Sequence, residues 1–184
     1  MSNAISPIGR VSFPQLFKPK QNDRGENVWS VVIIFDKKAQ ATDEYKAMEA
    51  AIQTSATERF GAKLPAGIKR KSLEPKSGYP ITLTETKPEW FAWASEGSTM
   101  ITFSSKYQPL VIDRNKQEIL DQAEVYAGEY GRVQWTTYAY DAAGNQGVSF
   151  GIRAYQKVKD GEALSGGKAD ADAFGDLPEE EEAF

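Results

Sequence analysis

Histidine and cysteine are both missing from the 184 residues. Their absence excludes a Cys/His zinc site, a thiol nucleophile, an imidazole general base and a disulfide framework. Any catalysis would rest on carboxylates, lysine, tyrosine or an oxygen-ligated metal. No stretch approaches the roughly 18 continuous apolar residues of a membrane span, and Met1–Arg10 lacks the apolar run of a signal peptide. The expectation is a cytoplasmic protein. Nor is there a phosphate-cradling glycine loop ending in Lys-Ser/Thr, or a G-x-G-x-x-G following a strand.

What charge there is lies unevenly. The chain has 22 Lys plus Arg against 26 Asp plus Glu, a formal net of −4. Residues 165–184 hold one lysine, Lys168, against seven carboxylates, so they carry −6 and residues 1–164 carry +2. A mildly basic body with a strongly acidic tail is an asymmetry that accompanies nucleic-acid proteins. The tail follows the glycine-rich joint Leu164-Ser165-Gly166-Gly167 and contains no Val or Ile. Its composition predicts disorder, because small and acidic residues bury too little apolar surface to offset ordering entropy. The division expected is a domain over 1–164 and a disordered acidic tail over 165–184.

The body reads as β-rich. Ile5 to Phe17 is a first strand with Pro7 and Pro14 marking an edge or bend, and Gln21 to Gly25 is a turn. Val28 to Phe35 is apolar on both faces and so a central strand. Between Lys38 and Phe60, Ala41, Tyr45, Met48, Ile52 and Ala56 recur at spacings of three and four. That spacing predicts one amphipathic helix, with Thr42 or Asp36 as N-cap and a stop near Gly61. Residues 61–80 are punctuated by Gly and Pro and include the most basic window, where Lys63, Lys69, Arg70, Lys71 and Lys76 oppose Glu74. Further strands are expected at 81–85, 90–93, 100–104, 109–113, 132–140 and 147–156, the last two joined by a hairpin loop over Asp141–Asn145.

Alternation in the last two strands suggests a platform. Val133, Trp135, Thr137 and Ala139 share one face, and Arg132, Gln134, Thr136, Tyr138 and Tyr140 the other. In the final strand Val148, Phe150, Ile152 and Ala154 oppose Gly147, Ser149, Gly151, Arg153 and Tyr155, where two glycines would let a ligand approach the sheet.

Binding of single strands needs cations along the phosphates and aromatic faces for the bases, each stacked base contributing roughly 1–3 kcal/mol. Charge and alternation nominate Arg10, Lys18, Lys20, Lys69, Arg70, Lys71, Arg132 and Arg153 for phosphates, and Phe17, Trp90, Trp93, Tyr107, Tyr138 and Tyr155 for stacking. Trp29 and Trp135, inside strong strands, go mainly to the core. A metal-dependent nuclease would use Asp113, Asp121 and Glu124 around magnesium, but these sit in turn-like contexts where Asp serves the backbone. A second alternative is a phage structural or protein-interaction β-module without nucleic-acid binding.

Several strings together resemble a family. They are Gly9-Arg10-Val11-Ser12-Phe13-Pro14-Gln15-Leu16-Phe17-Lys18-Pro19, Trp29 to Lys37, Pro109 to Asp113, Val125-Tyr126-Ala127-Gly128-Glu129-Tyr130-Gly131-Arg132, Tyr138 to Tyr140, Gly144 to Val148, and Gln156-Lys157. In order and spacing over roughly residues 5–165 they look like the single-stranded DNA-binding proteins of tailed bacteriophages. The resemblance implies an OB-fold, an antiparallel barrel with one substantial helix, working without catalytic residues, metal or cofactor in replication and recombination in the cytoplasm of a bacterial host. Single-stranded DNA is the implied partner, and the same cations would hold duplex DNA more weakly. The tail resembles the acidic C-termini of such proteins, which dock on replication partners and compete with DNA for the groove. Asp176, Glu179, Glu180, Glu181, Glu182 and Phe184 match that pattern, although the acids are mostly Glu and Ala183 is penultimate.

Overall fold

The computed structural model describes residues 4–61, 69–70, 81–82, 98–142 and 145–164. Strand β1 (Gly9–Gln21) turns into β2 (Asn27–Phe35), and helices α1 (Lys37–Gln40) and α2 (Asp43–Phe60) follow. Two-residue strands β3 (Lys69–Arg70) and β4 (Ile81–Thr82) precede β5 (Thr99–Ser105) and β6 (Leu110–Ile112). A 3₁₀ turn at Gln122–Glu124 leads to the long hairpin of β7 (Tyr130–Ala142) and β8 (Asn145–Lys159).

Five strands close on themselves. β1 pairs with β2, β2 with β5, β5 with β8, β8 with β7, and β7 returns to β1 through Gly9↔Gly131 and Arg10↔Tyr130. This ring has the strand pairing of the small barrel that the resemblance implies, although β7 meets β1, and β5 meets β8, through only two residue pairs each. The barrel is not wholly antiparallel as expected: β5 and β8 run parallel through Phe103↔Phe150 and Ser104↔Gly151, and β3 and β6 also join β8 in parallel.

The interior is filled by inward residues of every barrel strand. Val11 and Leu16, Val31, Ile33 and Phe35, Ile101 and Phe103, Val133 and Trp135, and Val148, Phe150 and Ile152 form one buried cluster. Trp135 meets Phe150 edge to face at 5.6 Å between ring centroids, a favoured aromatic geometry. β2 is buried on both faces from Val31 to Phe35, as its unbroken apolar run requires.

The helical segment splits in two because it contains two good caps, and both candidates serve. Asp36 Oδ1 accepts the Ala39 N–H at 2.8 Å to start α1, and Thr42 Oγ1 accepts the Tyr45 N–H at 3.2 Å to start α2. Asp43 and Glu44 at the start of α2 and Arg59 at its end complement the helix dipole. Gly61, at φ 89°, stops it in a conformation that favours glycine. Tyr45, Met48, Ile52 and Ala56 bury one stripe of α2 against the barrel, with Tyr45 meeting Phe35 at 5.5 Å. Each large side chain so buried stabilises the fold by roughly 1.5–3 kcal/mol.

Strands β7 and β8 reach Ala142 and begin again at Asn145, paired as Asp141↔Gln146 and Ala142↔Asn145. Both strands therefore run into the span expected as a loop over Asp141–Asn145, and residues 143–144 lie outside the described residues. The strand expected at 90–93 lies outside the described residues.

Candidate nucleic-acid interface

One groove of about 390 Å³ opens on the barrel between the β1–β2 turn and the β7–β8 hairpin. Its walls are Asn22 and Val28 from the first hairpin, Ser104, Ser105, Lys106 and Tyr107 from the end of β5, and Thr136, Tyr138, Gly151 and Ile152 from the second. On a barrel of this topology the face of the second and third long strands, here β2 and β5, is where oligonucleotides bind, between the loops that flank it.

Each feature of the groove has a local cause. Asn22 organises the turn: its side-chain oxygen accepts the N–H groups of Arg24 and Glu26, both at 3.0 Å, and Gly25 turns the chain at φ 76°. The turn sets Glu26 beside Lys106, with 2.6 Å between carboxylate and ammonium. Hydrogen bonding to Lys106, and then to Asn22, holds the Glu26 carboxyl below its usual range. Tyr107 is 83% exposed, its backbone N–H tied to Ser105 Oγ at 3.0 Å. Tyr138 is 42% exposed, with its hydroxyl 3.3 Å from Ser104 Oγ and its ring 6.4 Å from that of Tyr140. Gly151 pairs with Ser104 on one side and Thr136 on the other, and a Cβ there would run into Thr136 Oγ1. Gly151 is thus covered by the Thr136 side chain, and the exposed aromatic surfaces of the groove are the rings of Tyr107 and Tyr138. Lys20 is exposed and lies opposite Val28, so it shares the sheet face that Val28 gives to the groove.

The residues nominated from sequence separate into groups. Tyr107 and Tyr138 line the groove, Lys18 and Lys20 are exposed on the far half of β1, and Phe17 is half-buried against the core. Arg153 is exposed beside the groove-lining Ile152. Arg132 lies elsewhere: it is six residues from Tyr138 along β7, about 20 Å at the rise of a strand. There it lines a second cleft with Tyr130 and Lys159, its Nε donating to Gln156 Oε1 at 2.9 Å. Arg10 is committed within the fold, donating to the carbonyls of Gly128 at 3.2 Å and Glu162 at 2.7 Å. Lys69 and Arg70 form β3, beside Gly147 and Val148 of β8. Lys71, Trp90, Trp93, Asp176, Glu179, Glu180, Glu181, Glu182 and Phe184 lie outside the described residues.

Tyr155 corrects the alternation argument. It is fully buried, and its hydroxyl donates to Glu129 Oε2 at 2.5 Å, so no base can stack on it. The cause is a β-bulge: Gln134 pairs with Ala154 but Trp135 with Ile152, leaving Arg153 as the extra residue. One inserted residue reverses which side chains face inward, and Tyr155 comes in opposite Val133. Burial, then the neighbouring Glu129 carboxylate, pushes its phenol far above the ordinary range. Glu129 is itself fully buried, and desolvation raises its pKa against hydrogen bonds from Tyr155 and the Tyr126 N–H and the charge of Lys157 at 3.5 Å. This is a structural knot and not a binding surface.

Lys106, Asn22, Thr136 and Ser104 were not nominated from sequence. Lys106 carried a signal, as a cation next to an aromatic. The other three are polar residues that only the closure of the barrel gathers. Of the magnesium candidates, Asp113 Oδ1 accepts the Asn115 and Gln117 N–H groups at 2.8 and 2.9 Å and Asp121 Oδ1 accepts that of Ala123 at 2.9 Å, and among the described residues no three acids are grouped to hold a metal ion. Among the described residues no helix is long and apolar enough to cross a membrane.

Comparison with known proteins agrees with this fold. The family model described as Enterobacter phage Enc34, ssDNA-binding protein, matches residues 4–184. Protein p50 of Acyrthosiphon pisum secondary endosymbiont phage 1 is 31% identical over 175 residues, spanning 94% of this chain and 92% of the relative. The single-stranded DNA-binding protein from bacteriophage Enc34 superposes with a TM-score of 0.66 at 18% identity, over 91% of this chain and 87% of that one. Its complex with ssDNA gives 0.64 at 17% identity, over 86% and 87%. Bacteriophage T7 gp2.5, a single-stranded DNA-binding protein, gives 0.58 at 12% identity, over 90% and 96%. At these identities the solved structures establish the fold.

Proposed function

Because the chain belongs to the family of the Enterobacter phage Enc34 single-stranded DNA-binding protein, we propose that it coats single-stranded DNA, largely without sequence preference, during phage replication and recombination. The observation that supports this reading is the groove itself, where two exposed tyrosine rings, Tyr107 and Tyr138, stand with Lys106. Stacking is tolerant of sequence because every base has a π-face. Lys20, Lys106 and Arg153, with Lys18 on the same strand as Lys20, supply cations beside the rings, and Lys106 exchanges Glu26 for a phosphate when a strand enters. Nothing in this action requires a bond to be broken, and the protein works as a binder, not an enzyme, in the cytoplasm of the infected cell. Duplex DNA meets the same cations without the stacking and is held more weakly. The acidic segment with Asp176, Glu179–Glu182 and Phe184 serves as a docking peptide for replication proteins and weakens strand binding through its charge.

Titration with oligo-dT tests the reading. Binding should be seen by fluorescence anisotropy of a labelled oligonucleotide and should weaken steeply with salt, because each neutralised phosphate releases counterions with a slope near −0.7 for single strands. Absence of binding at low salt, or an affinity indifferent to salt, overturns it.

A further inference from the structure

Two leucines face solvent side by side beyond β8. Strand β6 joins β8 in parallel, and residues 118–120 fold back along the other side of β6: Ile112 pairs with Glu118, and the Ile119 N–H donates to Val111 O at 2.9 Å. Asp113 holds the turn between them, its Oδ1 accepting the Asn115 and Gln117 N–H groups. Continued by two residues, that register sets Leu120 opposite Leu110. Burial follows the alternation of the strands. Val111 and Ile119 point inward and are 4% and 6% exposed, whereas Leu110 and Leu120 point outward and are 49% and 80% exposed. On the same outer face Ile112 is half-buried, as is Ala154, the β8 residue paired with Leu110.

The sheet edge beside Leu120 is open as well. Because Ile119 turns its N–H towards β6, the N–H groups of Glu118 and Leu120 point away from it, and among the described residues no strand pairs with that side. An open edge carrying a large exposed apolar side chain is a template for another strand. Charge within residues 118–120 is limited to Glu118, and the remaining charges gather at the two ends of the segment. Arg114 and Lys116 stand exposed in the turn before it, and Asp121 and Glu124 stand exposed after it.

We infer that this edge is a self-association surface, where a second copy of the chain pairs its own residues 118–120 in antiparallel about a two-fold axis at Ile119. Glu118 of each copy then exchanges main-chain hydrogen bonds with Leu120 of the other, and every outward N–H and C=O of the edge gains a partner. The two Leu110–Leu120 pairs merge into one apolar strip across the joined sheets. Charge selects this occupant. Antiparallel pairing brings the basic Arg114–Lys116 end of one copy against the acidic Asp121–Glu124 end of the other, and the two-fold repeats the match at both ends. An unrelated extended peptide would meet the same backbone without that complementarity. A three-residue edge with two leucines a side falls short of the roughly 1,200 Å² of a stable interface, so the contact is reversible and fills where copies are concentrated. This inference concerns the free protein and does not rest on the DNA-binding reading.

Sedimentation equilibrium of the full chain without DNA, from micromolar to millimolar concentration, provides the test. The weight-average mass should rise with concentration towards that of two chains and stop there, since a two-fold contact closes on itself. Leu120→Asp should weaken association by about tenfold or more, as the loss of one buried leucine from each copy requires. Leu120 is exposed in the single chain, so this variant should keep the wild-type melting temperature. Charge reversal gives a second readout. Neither Arg114→Glu with Lys116→Glu nor Glu118→Lys with Glu124→Lys should self-associate, whereas an equimolar mixture of the two variants should dimerise. A monomer at every concentration, growth beyond two chains, association untouched by Leu120→Asp, or no recovery in the mixture would each overturn the inference.

Discussion

A tyrosine ring can serve a nucleic-acid strand only if a base can reach its face, and the three tyrosines nominated from sequence differ on that point. Tyr107 and Tyr138 are exposed at the groove, whereas Tyr155 is sealed in with Glu129. Tyr138→Ala should weaken oligo-dT binding by roughly 5- to 150-fold, the equivalent of about 1–3 kcal/mol for one lost stack, without lowering the melting temperature much. Tyr155→Phe should do the reverse, leaving affinity near wild type while destabilising the fold by removing the donor to a buried carboxylate. The buried Glu129 makes a pH prediction as well. Its folded pKa is raised above the ordinary 4.5 by burial, so its contribution to stability is fully present below that value and is lost as pH rises through the folded-state pKa. Wild-type protein should therefore lose stability relative to Glu129→Gln as pH is raised from about 4.5 towards neutrality, read from melting temperatures of the two proteins across that range. A difference that stays constant with pH would show that Glu129 keeps an ordinary pKa.

At the scale of elements, the strands and the helix were largely legible because they rest on periodicity. β2, β5, β7 and β8 appear close to where alternating or continuous apolar runs placed them, and the helix stripe of Tyr45, Met48, Ile52 and Ala56 is buried as its spacing required. Bulges were not legible. Arg153 interrupts β8 without any residue that marks a bulge, so alternation counted straight through it put Tyr155 on the wrong face. In β1 the register slips near Pro14, and Phe13 takes a positive φ of 45°, unusual for a large side chain. Proline marked that bend, though the strand continues past it to Gln21. The groove was half legible for a related reason: aromatics beside charge can be seen in a sequence, but the meeting of Asn22, Ser104, Thr136 and Gly151 depends on parallel closure between β5 and β8. The β1–β2 turn gives its own prediction. Glu26 neutralises Lys106, so Glu26→Gln should tighten strand binding and steepen the log-affinity against log-salt slope by about 0.7, as one more uncompensated cation meets phosphate. An unchanged slope would show that Lys106 does not reach the DNA.

Over the whole molecule, the net of −4 is misleading as an index of what the protein meets. The body carries +2 and the last twenty residues −6, and the body's surplus is small enough that binding has to draw on local cations and on stacking. Removing residues 165–184 should tighten oligo-dT binding most at low salt, where the Debye length is near 30 Å at 0.01 M, and little at physiological ionic strength, where it is about 8 Å. An equal gain at both would mean that the tail occupies the groove directly. The contrast between the two ends of β7 offers the sharpest test of the account. Affinities for oligo-dT should be measured in parallel, at one salt concentration, for wild type, for Tyr107→Ala with Tyr138→Ala, and for Arg132→Ala. If the groove is the binding site, the double tyrosine variant loses well over tenfold while Arg132→Ala stays within about threefold of wild type, as loss of a distant charge should. Wild-type affinity in the double variant, or a larger loss from Arg132→Ala, would contradict it.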